Sequence, residues 1–188
     1  MDARERVLAS INHKRPDRIP ADLWAEPSVW ERLVKDLGAG SEEGVRNALQ
    51  IDVRYVSPIY PADTITSGVK QNMWGERWEK TSTVYGYEWE HTRGALFHAQ
   101  SLADLEAFPW LTCDQVDYST IAERVRRYDG YAIFYGNADF FERPGLVLGL
   151  ENILVDVMVN QDMVDYLQER FLPFLHRGFL QDHGVGEG

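Results

Sequence analysis

The sequence predicts an α/β fold with a parallel sheet and a small antiparallel insert, and three observations carry that prediction. Strand candidates at residues 52–58 and 131–136 are separated by segments with helical spacing. Residues 63–99 have a different texture, rich in Thr, Val, Trp and Tyr and without a helical period. Within them Tyr85, Tyr87 and Trp89 alternate with Gly86, Glu88 and Glu90, the two-residue period of a strand, with Trp74 and Trp78 on the partner segment.

Taken in order, Asp2 caps a helix over about residues 3–12, with Val7, Leu8 and Ile11 on one face. Pro16 stops it, and residues 18–24 read as the first buried strand. Pro27 suits the first turn of a helix over 27–37, which Val29, Leu33 and Leu37 turn inward and Gly38 ends. Ser41 caps a further helix to about Gln50, with an incomplete capping box because Gly44 stands where a reciprocal Glu is needed. The second strand is 52–58, followed by the antiparallel insert. Ser101 caps a helical turn to Phe108, which Pro109 stops. A helix over 118–128 turns Ile121 and Val125 inward, and Arg124, Arg126 and Arg127 near its end suit the helix dipole. Gly130 precedes the third strand, 131–136. Helices over 148–159 and 162–182 follow, parted by Asn160, and Pro173 is expected to kink or break the second.

Strands alternating with helices imply right-handed parallel crossovers. The expected architecture is the N-terminal part of a (β/α)8 TIM barrel, one partial domain over residues 1–188 with a β-hairpin insert at 63–99. Three strands fall short of eight, which typically take about 250 residues. The C-terminal half of the barrel is therefore expected to be absent by truncation or supplied by a partner, and the open sheet edges suggest a homo-oligomer.

Composition narrows the function classes. A hydrophobic share of 44% against 26% charged residues suits a packed core and not a disordered chain. The net charge of −11 argues against a nucleic-acid backbone or an anionic membrane surface as the main partner. Cys113 is the one cysteine, so no internal disulfide can form, which fits a reducing compartment. No run reaches the roughly 18 apolar residues a membrane helix needs, and the expected location is cytoplasmic.

Several motifs recur in order along residues 4–175. They begin with Arg4-Glu5-Arg6-Val7-Leu8-Ala9-Ser10-Ile11-Asn12-His13 and Pro16-Asp17-Arg18-Ile19-Pro20, then Asp52-Val53-Arg54 with Ser57-Pro58. Asp104-Leu105-Glu106-Ala107-Phe108-Pro109-Trp110, Phe141-Glu142-Arg143 and Gly149-Leu150-Glu151-Asn152 complete the set. Together they resemble the N-terminal portion of the uroporphyrinogen decarboxylase-like superfamily. The resemblance implies a (β/α)8 barrel with its site at the C-terminal ends of the strands. It also implies either a cofactor-free porphyrinogen decarboxylase or a corrinoid- and zinc-dependent methyltransferase.

Three departures weigh against the decarboxylase. The family's arginine-rich motif after the first strand is replaced by residues 24–31, which hold no arginine. Its aspartate after the second strand is replaced by Ser57-Pro58-Ile59, and Gly145 stands where a tyrosine is expected. The methyltransferase branch, or a member of uncharacterised role, is the better match. That branch takes zinc from a His-x-Cys and a later Cys in the C-terminal half, beyond Gly188. No cofactor is expected within these residues, and a corrinoid protein is an implied partner. The alternative of another class is a non-catalytic half-barrel assembly or binding subunit.

The barrel rule places candidate site residues at the strand ends. Asp22 and Trp24 follow the first strand, where a carboxylate could hold a polar small-molecule substrate; the competing reading is a helix cap. Ser57 and Tyr60 follow the second, where hydroxyls could orient a ligand; the competing reading is a turn around Pro58 and Pro61. Asn137, Asp139, Glu142 and Arg143 follow the third. Asp139 or Glu142 is the candidate general acid or base, and Asn137 and Arg143 the candidate substrate contacts, against the plainer reading of a loop charge network. His91, His98 and Cys113 lack metal-ligand spacing. The aromatic group of the insert could form a flat-ligand wall, but more often such a stripe is a packed hairpin face.

Overall fold

Two strands form the parallel element of the fold. β1 (Val53–Val56) pairs in parallel with β6 (Ala132–Tyr135), with Val53 opposite Ala132 and Tyr55 opposite Phe134. The computed structural model describes residues 1–84, 86–135 and 140–182. It divides into one unit of residues 1–56, 81–88 and 122–135 and a second unit of 57–80, 89–121 and 136–188.

In the first unit, helix α1 (Ala3–Ile11) covers one face of the pair, and Val7 joins Val53 and Ala132 in a small core with Tyr55 packed against it. A full capping box between Asp2 and Glu5 starts α1. Arg54 points to the other face and is 2% exposed. Its guanidinium donates to Glu43, Asn47 and the Ile51 and Val53 carbonyls and lies 3.9 Å from the Tyr131 ring centre. Every nitrogen of the fork is thereby bonded, the condition for burying a charge. Helices α2 (Pro27–Asp36) and α3 (Glu42–Ala48) pack together, and Ser41 caps α3 by accepting from the Gly44 N–H.

The motifs that open the chain fold into an ion network around Asp52, whose side chain is 1% exposed. Arg6 donates to Asp52 at 2.5 Å and to Asp17 at 2.6 Å; Arg18 donates to both Asp52 oxygens at 2.7 and 2.9 Å. The Ala21 N–H adds a fourth bond, at 2.8 Å. Burial works to raise the Asp52 carboxyl, but the Ala21 N–H, Arg18 and Arg6 outweigh it and hold it below the ordinary carboxylate range. The Arg6 hydrogen bond likewise holds Asp17 well below that range.

That network explains the first correction: residues 18–24 form no strand. Pro20 has no N–H, the Ala21 N–H is taken by the Asp52 carboxylate, and the Leu23 N–H by Asp22. Side chains intercept the donors a ladder would use, and a single backbone bond, Asp52 N–H to Ala21 C=O, joins the segment to the start of β1.

The second unit holds most of the antiparallel sheet, ordered β2 (Thr64–Thr66), β3 (Val69–Gln71), β4 (Arg77–Thr83), β5 (Gly86–Arg93). β2–β3 and β3–β4 pair antiparallel, where the sequence predicts a hairpin or small insert. α4 (Leu102–Glu106) follows with a Ser101–Asp104 capping box, then a 3-10 turn at Cys113–Gln115, and α5 (Ile121–Arg127) leads to β6. After β6 come α6 (Glu142–Leu148), α7 (Leu150–Val159) and α8 (Gln161–Asp182). Among the described residues no strand separates these three, and they pack on one another, with α8 also against α4.

The barrel expectation is therefore contradicted. The fold is mixed α/β, with a two-stranded parallel sheet and a separate four-stranded antiparallel sheet, and no barrel pattern is present among the described residues. Two smaller corrections follow. The helix expected from residue 148 is preceded by α6, because Pro144 sits in its first turn, where an N–H has no helical partner to lose. Gly149, at φ +105°, then separates α6 from α7. Pro173 lies inside α8 and does not end it.

Candidate ligand site

At the C-terminal half of β1, alternation puts Tyr55 on the same face as Val53 and beside Phe134 of β6. The Tyr55 and Phe134 rings are 5.9 Å apart. A half-buried tyrosine needs a partner for its hydroxyl. That partner is Asp22, whose Oδ2 accepts from Tyr55 Oη at 2.5 Å and from Trp24 Nε1 at 2.8 Å. Trp24 Nε1 also lies 2.9 Å from Tyr55 Oη, and the two rings meet edge to face at 5.0 Å. Burial, and then the Asp22 hydrogen bond, push the Tyr55 phenol above its ordinary pKa. The proton therefore stays on Tyr55 and points at Asp22.

The result is a carboxylate held by two aromatic donors, with Trp24 63% and Phe134 41% exposed. In open α/β sheets ligands bind outside the carboxyl ends of the strands, and this cluster gathers on the C-terminal half of β1 and β6. Tyr55 and Phe134 are the members that sequence reading overlooked. The available signal was a tyrosine on the core-facing register of a buried strand, two positions after Val53, with Asp22 already singled out as a carboxylate in need of a role.

The other candidates fall elsewhere. Ser57 and Tyr60 belong to the second unit; the neighbouring Ile59 bridges to Asp117 through two backbone hydrogen bonds. Glu142 is exposed at the first position of α6, where a carboxylate suits the helix N-terminus. Arg143 is drawn to Glu76, which is 0% exposed, and donates to both its oxygens at 3.1 Å. Asn72 Nδ2 completes the Glu76 shell at 2.7 Å. The buried Glu76 carboxylate is thereby satisfied, and its bond to the half-buried Arg143 ties the insert to α6. Asn137 and Asp139 lie outside the described residues.

The insert aromatics do not make one wall. Trp74 is buried against Phe171 and Phe174 of α8, and Trp78 and Trp89 flank the Lys70 ammonium at 5.1 Å each. Tyr87 reaches Glu31. Trp78 also meets His91 edge to face. Among the described residues no group of three or more His, Cys, Asp or Glu side chains is arranged to hold a metal ion. No described helix is long and apolar enough to cross a membrane.

Comparison of the chain with protein-family models, with curated proteins and with solved structures returns no match.

Proposed function

We propose that this chain is a small-molecule-handling member of the uroporphyrinogen decarboxylase-like superfamily, of its methyltransferase-like or uncharacterised branch. It takes a small organic or corrinoid-linked ligand at the Asp22–Trp24–Tyr55–Phe134 cluster. The carrying observation is that cluster, a carboxylate oriented by two aromatic donors beside exposed ring surface. The ordered motifs from Arg4 to Asn152 support the superfamily. The absence of arginine from residues 24–31 supports the methyltransferase-like branch over porphyrinogen decarboxylation, because substrate carboxylates call for bidentate cations.

Equilibrium dialysis with methylcobalamin and with uroporphyrinogen tests the proposal. Saturable corrinoid binding is expected, weakened about fivefold by Trp24→Leu, the loss of about 1 kcal/mol of aromatic contact. Turnover of uroporphyrinogen would instead make the chain a decarboxylase. Binding of neither probe would remove the superfamily reading.

A second reading, a non-catalytic assembly subunit, is favoured by α7. Its Leu150, Leu154, Val155, Met158 and Val159 are all exposed, an apolar surface of the kind that marks contact sites. Light scattering across a concentration series checks it: self-association is expected, and a monodisperse monomer counts against it.

A further inference from the structure

The Asp22 cluster has used its hydrogen-bond donors but kept its charge. Tyr55 Oη and Trp24 Nε1 both donate to Asp22 Oδ2, and the Leu23 N–H donates to Oδ1 at 2.8 Å. A carboxylate has about four acceptor sites, so most of its capacity is filled. A ligand whose polar groups are acceptors, such as a phosphate or carboxylate, finds no spare donor on these side chains and meets a like charge. A ligand rich in N–H groups finds little room to donate. What the cluster still offers is one negative charge bordered by ring faces.

The rings are set to use it. Trp24 and Tyr55 stand at 81° to one another, so their planes form a corner, and Phe134 continues the surface 5.9 Å beyond Tyr55. Trp is the strongest cation–π partner, and an alkylated ammonium asks for aromatic faces and a nearby anion without directional hydrogen bonds. Burial and the bond to Asp22 push the Tyr55 phenol above its ordinary pKa, so it stays neutral and donates to Asp22. The net charge of −11 adds long-range attraction for a cation.

We propose that the Asp22–Trp24–Tyr55–Phe134 cluster recognises a methylated ammonium group on a small organic cation. This deepens the reading of the cluster as the ligand site and rests on it. The test is calorimetric titration of the full chain with choline and with its uncharged carbon analogue, in which a tert-butyl group replaces the trimethylammonium. Choline is expected to bind at least about fivefold more tightly than the analogue. Asp22→Asn, which keeps an acceptor for Tyr55 and Trp24, is expected to erase that preference, and Trp24→Leu to weaken choline about fivefold. Both residues are exposed, and circular dichroism confirms that the variants stay folded.

Equal affinity for the two compounds overturns the cation proposal and leaves an apolar ligand site standing. No choline binding, with methylcobalamin still bound through Trp24, overturns the cation proposal alone. No binding of any of these probes removes the ligand site as well.

Discussion

Asp52→Ala lowers the stability of the folded chain by about 3–5 kcal/mol, read as a shift of the urea midpoint at neutral pH. The size follows from what is left behind. Asp52 is 1% exposed and accepts from Arg6, Arg18 and the Ala21 N–H. Its removal leaves the 9%-exposed Arg6 side chain with Asp17 as its remaining carboxylate, and strips Ala21 of its partner. A buried charge that loses one of its partners costs more than the pair contributes while intact.

The same substitution changes the acid limb. Asp17 and Asp52 both have carboxyls held below the ordinary range in the folded state. A depressed folded value means that the contribution is complete above the unfolded pKa, about 3.9 for Asp, and is lost as pH falls through the folded values. The native chain therefore loses stability on acidification below about pH 4, and Asp52→Ala loses less of it over that range. Coincident urea midpoints for the two proteins at pH 7 would show that the network contributes nothing.

Gly94→Ala costs about 3 kcal/mol, although the glycine has an ordinary φ and alanine is the mildest replacement. A Cβ there would lie 2.0 Å from the Val147 carbonyl oxygen and 2.4 Å from that of Leu146. Both are backbone atoms of α6, so no side chain can swing away. Relief requires the segment after β5 to move off the helix, which breaks the 2.9 Å bond from the Leu96 N–H to the Val147 carbonyl. Leu96 and Val147 are both buried, so the separated groups are poorly hydrated. Thermal unfolding gives the measurement: a melting temperature unchanged by Gly94→Ala would show that the segment after β5 can move off α6 without cost.

Local signals in the chain were enough for much of the secondary structure. Asp2, Ser41 and Ser101 each start a helix at the position their side chains indicate, because capping is settled within three residues. The alternation of Tyr87, Glu88, Trp89 and Glu90 is enough to place β5 in an antiparallel sheet. Asp22 and Trp24 were singled out as the end of a strand over 18–24, and that strand does not form.

Tertiary structure decided the rest. Residues 18–24 have a strand's composition, yet the Asp52 carboxylate, 31 positions from Ala21, takes the N–H that a strand would need. Arg143 reads as the neighbour of Glu142, yet bonds Glu76, 67 positions away, because a fully buried carboxylate requires a cation and Arg143 is the one that reaches it. Tyr55 enters the candidate site only because β6 sets Phe134 beside it and Asp22 folds back to its hydroxyl. Caps, turns and periodicity act over a few residues and can be read along the chain. Which carboxylate meets which donor depends on long-range closure, and for buried charges that closure outweighs local propensity.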